Sequence, residues 1–344
     1  MRKPRLTRRK FIAALVAAGG GIQAGSIFTG LVDTPTEAGL LKTREGTREG
    51  SDQRDSIQRK VLVNRHCPVL RKLDPSSPLS LGNGEFAFTA DITGLQTFPQ
   101  EYESTMPLCT MSQWGWHTFV LPKGLDPGKL RLTPYDSHGR SVGYHTSSEG
   151  QTDLYDWLRE NPHRLNLGRI GLRLVTVGQR EAQVADVHEI DQKLDLWTGI
   201  LTSQFKLEGK SVTIRTSVHP VLDLLAVAIE SSLINDGRVA VRLAFPYGSS
   251  NMQASDWLQP MRHETRIVAQ DPNHVELQRS LDGDNYRVAI SWTTAASFAT
   301  EDKQSFLLTP DRQNSALEFS VMFAPRALDG SLPGVAATFA ASGV

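Results

Sequence analysis

The stretch Leu81–Ile92, LGNGEFAFTADI, predicts a tight turn followed by a half-buried β-strand. The dipeptide Asn83-Gly84 is typical of tight turns between antiparallel strands. Apolar and other residues then alternate with the two-residue period of a strand that has one buried face: Phe86, Phe88, Ala90 and Ile92 alternate with Ala87, Thr89 and Asp91. This stretch indicates antiparallel β-structure, with Asp91 on the polar face.

Similar segments recur along the chain. Two pairs of them form hairpin patterns: Ile200–Leu207 with Val212–Val218 through Glu208-Gly209-Lys210, and Val275–Leu281 with Tyr286–Trp292 through Asp282–Asn285. Further strands are predicted over Leu165–Val177, Leu224–Ser232, Val239–Phe245 and Leu317–Phe323. Many short strands separated by turn residues favour a mainly β fold, a large antiparallel β-sandwich (supersandwich) over residues 61–326 with few short helices.

One segment predicts a helix. Asp153–Glu160 has Thr152 or Asp153 available as a side-chain cap, and Asn161-Pro162 stops it. The Ala-rich segment Val335–Ser342 could begin a second helix, but one this short is marginal unless it packs on something. Residues 327–344 are therefore interpreted as the start of an interrupted linker.

The N-terminus predicts export. Arg8-Arg9 precede an apolar run from Phe11 to Ala18, and mostly small residues follow up to Ala24, although Ile22 is larger. This pattern indicates a twin-arginine signal peptide over residues 1–24, too short to span a membrane. Residues 25–60 are charged, lack apolar periodicity and are predicted to form a flexible leader. The mature protein is expected to be periplasmic or secreted, without an integral membrane span.

Charge and motif content exclude several functions. The chain of 344 residues has 37 basic and 37 acidic side chains, which argues against nucleic acid as a partner. Its nine histidines do not repeat at metal-ligand spacings, and no phosphate-binding glycine loop follows a strand, so neither a metal nor a cofactor is expected. Asp282–Asn285 resembles a calcium loop, but the later bidentate acid is missing and a hairpin turn is favoured.

The sequence leaves open the roles of two cysteines and of four acidic residues. In an oxidising compartment Cys67 and Cys109 could form a disulfide, and buried free thiols are the alternative. Four carboxylates lie near the tryptophan-rich stretch described next, and glycoside cleavage needs a carboxyl pair: Glu85, Asp91, Glu101 and Glu103. Their spacing does not single out a pair, so no catalytic residue is predicted.

The stretch Met111–Phe119, MSQWGWHTF, holds two of the six tryptophans. In an extended segment Trp114 and Trp116 would project to the same side, because Gly115 separates them. Such a pair either fills the core between two sheets or forms a flat surface for a sugar ring. Together with Gln113 and His117, the tryptophans are the candidate carbohydrate contacts.

Five stretches resemble the N-terminal β-sandwich of six-hairpin glycosidases, which include relatives of maltose and kojibiose phosphorylases and of bacterial α-L-fucosidases. Leu79–Thr89 resembles the S-x-G-N-G strand of that domain. Four others are similar to an exported bacterial subgroup: Gly94–Pro99, Ser112–His117, Leu194–Gly199 and Phe245–Ser249.

The resemblance implies a carbohydrate-active protein whose partner is an oligosaccharide or glycan. In the family an (α/α)6 barrel after the sandwich carries the catalytic groups, and this sequence has no run of helical hairpins. The chain is therefore interpreted as a non-catalytic sandwich domain, and a separate partner could supply a helical barrel. The alternatives are a stand-alone periplasmic carbohydrate-binding module and a mutarotase-like epimerase, which would need a histidine, such as His117 or His219, to meet a glutamate.

Overall fold

A computed structural model describes residues 57–328 and 330–342. The expected signal peptide and residues 25–56 of the expected leader lie outside the described residues, as does residue 329. The described helices are α1 (Arg59–Asn64), α2 (Thr152–Glu160) and α3 (Val335–Ala341). None of the helices among residues 57–328 and 330–342 has the length and apolarity required of a membrane span.

The described residues form twenty strands. In chain order they are β1 (Val69–Leu70), β2 (Leu79–Gly82), β3 (Phe86–Ala90), β4 (Thr110–Ser112), β5 (Trp116–His117), β6 (Thr133–Ser137), β7 (Arg140–Tyr144), β8 (His163–Arg164), β9 (Arg169–Leu174), β10 (Val187–Asp195), β11 (Ile200–Leu207), β12 (Lys210–Val218), β13 (Leu224–Ser231), β14 (Val239–Ala244), β15 (His263–Asp271), β16 (His274–Leu281), β17 (Asp284–Trp292), β18 (Ala296–Asp302), β19 (Ser305–Pro310) and β20 (Ala316–Ala324).

The strands form one large sheet and several smaller ones. The nine-stranded sheet has the order β1-β10-β11-β12-β13-β20-β17-β16-β15, and a four-stranded sheet has the order β18-β19-β14-β9. Smaller sheets are β2-β3-β4, β5-β8 and β6-β7. The larger of two apolar clusters among the described residues contains side chains of both larger sheets, such as Phe205 and Val288 from one and Leu172 and Leu243 from the other. The predicted large antiparallel sandwich is confirmed.

Both predicted hairpins are present. Leu207 pairs with Lys210 and Leu281 pairs with Asp284, so each turn has two residues. Glu208 and Asp282 occupy the left-handed region with φ of 49° and 50°. Gly209 has a positive φ of 80° as well, so the first turn has the conformation that type I′ hairpin turns require at both central residues, which explains its Glu-Gly sequence; in the second turn only Asp282 has it.

Strand β13 is buried on both faces, unlike a strand on the surface of a sandwich. Helix α3 covers its outer face, where Leu224, Ala226 and Ala228 contact Val335 and Phe339. The predicted short helix therefore forms, and packing on the sheet stabilises it.

Helix α2 forms where predicted, but its cap differs. Gln151 is the N-cap residue, and no side chain caps the helix. The Gln151 amide is used elsewhere, accepting from the Arg131 N–H at 2.8 Å and donating to the Ser147 carbonyl at 2.8 Å. The expected cap by Thr152 or Asp153 is wrong, because the Thr152 hydroxyl donates back to the Ser148 carbonyl.

The alternation in β3 is confirmed, but Asp91 does not lie on a polar face. Its side chain is fully buried because the strand ends at Ala90 and the chain turns. Its carboxylate accepts hydrogen bonds from the backbone N–H of Thr93 at 2.7 Å and of Phe98 at 2.6 Å. Burial raises the pKa of this carboxyl from 3.8 to about 6, although these hydrogen bonds act in the opposite direction.

Candidate functional site

The tryptophan-rich segment consists of strand β4, a turn over residues 113–115, and strand β5. The Gly115 N–H donates to the Ser112 carbonyl at 3.0 Å, and the Trp116 N–H donates to the Trp114 carbonyl at 2.9 Å. The segment is therefore not extended, and the two tryptophans have different surroundings. Glycine suits this turn because a Cβ at position 115 would lie 3.2 Å from a methyl group of Leu167.

Trp114 is half-buried and packs against the core. Its Nε1 donates a 2.6 Å hydrogen bond to Oδ2 of Asp223, which also accepts one from the Ser112 hydroxyl at 2.6 Å. The Trp114 ring lies 5.9 Å from the ring of Tyr286. These contacts give Trp114 a packing role.

Trp116 is 46 % exposed. Its Nε1 donates to the Gln113 carbonyl at 3.0 Å, and the guanidinium of Arg164 lies 4.6 Å from its ring centre. Arg164 also donates to the Gln113 carbonyl at 3.2 Å, while the Gln113 side chain is exposed. These contacts hold the Trp116 ring in place at the surface.

His117 is buried, with 1 % of its surface exposed. Its Nδ1 lies 2.9 Å from Oδ2 of Asp284, which also accepts from the Thr118 N–H at 3.3 Å. Its Nε2 lies 3.1 Å from Oδ2 of Asp282, but the direction is not that of a hydrogen bond.

Aromatic rings enclose His117. The rings of Phe119, His163 and Tyr247 lie edge-on at 5.4, 5.1 and 5.5 Å. His163 bonds through Nδ1 to the Glu160 carbonyl, and desolvation lowers its pKa. Gly248 approaches so closely that a Cβ there would lie 2.2 Å from the imidazole.

A chain of polar contacts leads from His117 toward the surface. Tyr247 donates to Oδ2 of Asp282 at 2.5 Å and accepts a 2.6 Å hydrogen bond from Arg262. The Arg262 guanidinium also lies 4.1 Å from the centre of the Tyr247 ring. Asp282 and Arg262 line a surface cavity of about 560 Å³.

The carboxylates near the tryptophan segment in sequence do not gather in one place. Asp91 is buried under the turn that follows β3, and Glu103 lies 3.8 Å from Arg169. Glu85 contributes its backbone carbonyl, which accepts from the Gln113 N–H at 2.8 Å. No contact joins any two of these carboxyl groups among the described residues.

Within the described part of the chain, the two histidines considered for an epimerase do not meet a glutamate. His117 contacts Asp282 and Asp284, and Nδ1 of His219 accepts from the backbone N–H groups of Val221 and Leu222. Because the two aspartates approach different ring nitrogens of His117, these three groups do not converge on one point. Residues 57–328 and 330–342 contain no cluster of three or more metal-ligand side chains.

Cys67 and Cys109 are both free thiols. The sulfur of Cys67 accepts from the Leu196 N–H at 3.4 Å, and that of Cys109 donates to the Gln253 carbonyl at 3.6 Å. The disulfide alternative is wrong, because the fold places the two thiols against different segments. Burial raises the pKa of Cys109 to about 11.

Sequence reasoning did not identify the residues that hold this segment in place, namely Arg164, Asp223, Tyr247, Asp282 and Asp284. Asp282 and Asp284 were noticed only as turn residues. Their turn is the one local signal that could have found them, because hairpin turns lie at the ends of strands, where their side chains can meet other segments.

No family model and no curated protein sequence matches this chain. Among solved structures it is similar to a protein described as a kojibiose phosphorylase from the human microbiome, with 13 % identity and a TM-score of 0.44. The alignment covers 75 % of this chain and 32 % of that protein, so this chain spans about a third of its length.

Proposed function

We propose that this chain is a carbohydrate-binding β-sandwich of the type found at the N-terminus of six-hairpin glycosidases. Trp116 and Gln113 contact the glycan. The observation that carries this proposal is the exposed indole of Trp116, held by a hydrogen bond and a guanidinium contact rather than buried in the core.

The stretches that carry the family resemblance support the proposal because they contact common neighbours. Asn83, in the first stretch, donates to the carbonyls of His219 and Leu222 at 2.9 and 3.0 Å. Trp114, in another, donates to Asp223 in the same loop. Proteins that share a fold are expected to resemble each other at positions that contact one another.

Each of two further stretches lies beside one of the stretches already described. Tyr247 and Gly248, from Phe245–Ser249, pack directly on His117, from Ser112–His117. Leu194–Gly199 and Leu79–Thr89 border one cavity of about 320 Å³. The pairing of these stretches argues that the resemblance reflects packing between neighbouring segments of the fold.

The chemistry of Trp116 suits a sugar. An indole presents a flat apolar face that packs on the C–H groups of a pyranose ring, and its immobilisation lowers the entropy cost of binding. The exposed amide of Gln113 can both donate to and accept from hydroxyl groups.

Trp114 and His117 act differently in this proposal. Trp114 hydrogen-bonds to Asp223, and the His117 side chain has no exposed surface. Both are therefore positioning residues that fix the turn carrying Trp116. They do not contact the glycan.

The experiment is calorimetric titration of the purified chain with neutral hexasaccharides: maltohexaose, cellohexaose, xylohexaose and mannohexaose. Trp116→Ala is expected to weaken binding about tenfold, as is usual when an aromatic anchor is truncated. Trp197→Ala is the matched control, because Trp197 is also a surface tryptophan, 38 % exposed. Equal affinities of Trp116→Ala and wild type would refute the contact.

The same titration distinguishes a stand-alone binding module from a domain that binds glycan only together with a partner. A stand-alone binding module binds glycan in saturable fashion without a partner. A sandwich that only completes another domain's pocket binds measurably only when that partner is added.

Export is part of the proposal, because the twin-arginine pattern of residues 1–24 indicates a periplasmic or secreted protein. Glycans outside the cytoplasm are then the ligands available to it.

A further inference from the structure

The segment between β14 and β15, residues 245–262, forms a pocket that the proposed Trp116 site does not use. Tyr247 and Asp256 exchange backbone hydrogen bonds of 3.0 and 2.8 Å, and the Ala254 carbonyl accepts from the Asn166 N–H at 2.9 Å. These bonds fix the backbone on the N-terminal side of Trp257. The position of Trp257 is therefore set by the fold.

Trp257 forms a supported aromatic wall of this pocket. The guanidinium of Arg169 lies 4.0 Å from the ring centre, a close cation–π contact. Burial lowers the pKa of Arg169 to about 10, which leaves it charged at neutral pH. The indole is half-buried and lines a cavity of about 320 Å³ together with His263, Lys303 and Gln304.

A second cavity of about 560 Å³ adjoins the first. Both are lined by Pro260, His263, Lys303 and Gln304. The two adjoining cavities together are called the groove, and each cavity is one of its compartments. Volumes in this range accommodate small ligands of one to a few rings. Each compartment is large enough for a sugar ring.

Polar groups with free hydrogen-bonding capacity line the groove. Oδ1 of Asp302 accepts from the Gln304 and Ser305 N–H groups, while Oδ2 has no partner among the described residues. The Lys303 ammonium rests on the thioether of Met261, a weak acceptor that leaves its donors available.

The charge of the groove favours a neutral ligand. Two cationic side chains, Arg262 and Lys303, face three anionic ones, Glu264, Asp282 and Asp302. Burial and the nearby Arg279 lower the pKa of His263 to about 4, so it adds no charge at neutral pH. Without an excess of positive charge, the groove does not select phosphates or uronates.

The same loop also exposes apolar side chains. Met252 and Met261 are each 73 % exposed and Leu258 is 88 % exposed. Apolar groups beside an aromatic wall and free hydrogen-bonding groups form a mixed surface, which matches the C–H faces and hydroxyl edges of a saccharide.

We propose that the groove of Trp257 is a second carbohydrate site, which binds a neutral oligosaccharide across its two compartments. The ligand class rests on the proposed function, but the residues are separate from Trp116. Trp257 packs on the face of one sugar ring, and Asp302 and Lys303 bond to hydroxyl groups.

The test is calorimetric titration of the full chain with the four neutral hexasaccharides and with hexagalacturonate. One neutral hexasaccharide is expected to bind, and Trp257→Ala to weaken that binding about tenfold, whereas Trp257→Phe retains most of the affinity. Lys303 lies in an exposed turn, so Lys303→Ala provides a second test if Trp257→Ala proves unstable. This variant is expected to weaken binding about threefold. Trp197→Ala serves as the control.

The outcomes separate this inference from the proposed function. If the affinity falls in Trp257→Ala and Lys303→Ala but not in Trp116→Ala, the second site is supported and the first is refuted. If the affinity falls only in Trp116→Ala, the second site is refuted. Absence of binding by every neutral hexasaccharide, tighter binding of hexagalacturonate, or unchanged affinity in both groove variants overturns the inference.

Discussion

Nδ1 of the buried His117 lies 2.9 Å from Oδ2 of Asp284, a residue 167 positions later in the chain. Asp284 begins β17 directly after the two-residue turn. The contact therefore fastens the tryptophan-bearing segment to the β16–β17 hairpin. The stability of the segment should depend on this contact, whereas the affinity for a glycan should depend on Trp116.

We predict that His117→Ala lowers the free energy of unfolding by about 2–3 kcal/mol, because it removes a hydrogen bond to a carboxylate and leaves a cavity among aromatic rings. Urea unfolding followed by fluorescence measures the change. The control is His145→Ala at an exposed position, expected to cost less than about 0.5 kcal/mol. Equal stabilities of the two variants would contradict the role of His117.

Gly248→Ala should lower the free energy of unfolding for a steric reason. The added methyl would lie 2.2 Å from the His117 ring, and that ring is enclosed by its neighbours. We expect a loss of about 1–3 kcal/mol in thermal or urea unfolding. Gly283→Ala is a matched control, because a Cβ there meets nothing within 4 Å. A neutral Gly248→Ala would show that the imidazole can move aside.

Arg279 is fully buried, and among the described residues none of its hydrogen-bond partners is a carboxylate. Its Nη1 donates to Thr265 at 2.7 Å and its Nη2 to the Pro246 carbonyl at 2.9 Å, while Nε donates to Tyr286 at 3.3 Å. A lysine has one ammonium and cannot reproduce this planar set of donors.

Arg279→Lys is therefore predicted to lower the free energy of unfolding by about 3 kcal/mol or more, because several buried acceptors lose their donors. Exposed Arg140→Lys is the control and should be close to neutral. If both substitutions had equally small effects in urea, the guanidinium network would not contribute to stability.

The buried Asp91 predicts a pH dependence. Its pKa is about 6 in the folded protein against an ordinary 3.8, so between these values the folded state binds more protons than the unfolded one. The contribution of this carboxyl to stability is then fully present below about pH 4 and is lost as the pH rises through about 6, up to about 3 kcal/mol in total.

The measurement is urea unfolding at several pH values for wild type, Asp91→Asn and exposed Asp156→Asn. Asp91→Asn should remove this decrease with rising pH, while Asp156→Asn should keep it. A wild type whose stability rises relative to Asp91→Asn between pH values of about 4 and 6 would mean that the hydrogen bonds from Thr93 and Phe98 outweigh desolvation.

Export can be tested through the first residues. Arg8→Lys together with Arg9→Lys should leave the protein in the cytoplasm of a bacterial host, because the twin-arginine pathway reads this pair. Fractionation followed by immunoblotting detects the change, and Arg5→Lys is the control. Export that continues in the double variant would argue for another route.

Strands with one buried face could be predicted from the sequence because the alternation is local. Strand β11 has the predicted bounds, and β16 and β17 differ by one or two residues. Strands β15 and β18 were not predicted. Each forms the edge of its sheet, and most of its residues are exposed, so neither has an apolar face to detect.

The candidate site could be predicted only in part. The sequence located the segment with Trp114 and Trp116, but it could not assign the roles of the two rings. A turn at residues 113–115 gives Trp114 a partner in Asp223 and leaves Trp116 at the surface. Trp257 was missed, because its support by Arg169 joins residues far apart in the chain.

The sequence by itself determined the class of fold, since turn chemistry and two-residue periodicity depend on neighbouring residues. Only the tertiary structure decided which polar groups are buried and paired. Asp91 lies under a loop, and His117 meets Asp284, because the antiparallel sheets bring distant segments together. Such pairings depend on the packing of whole strands, and the local pattern around either partner does not contain them.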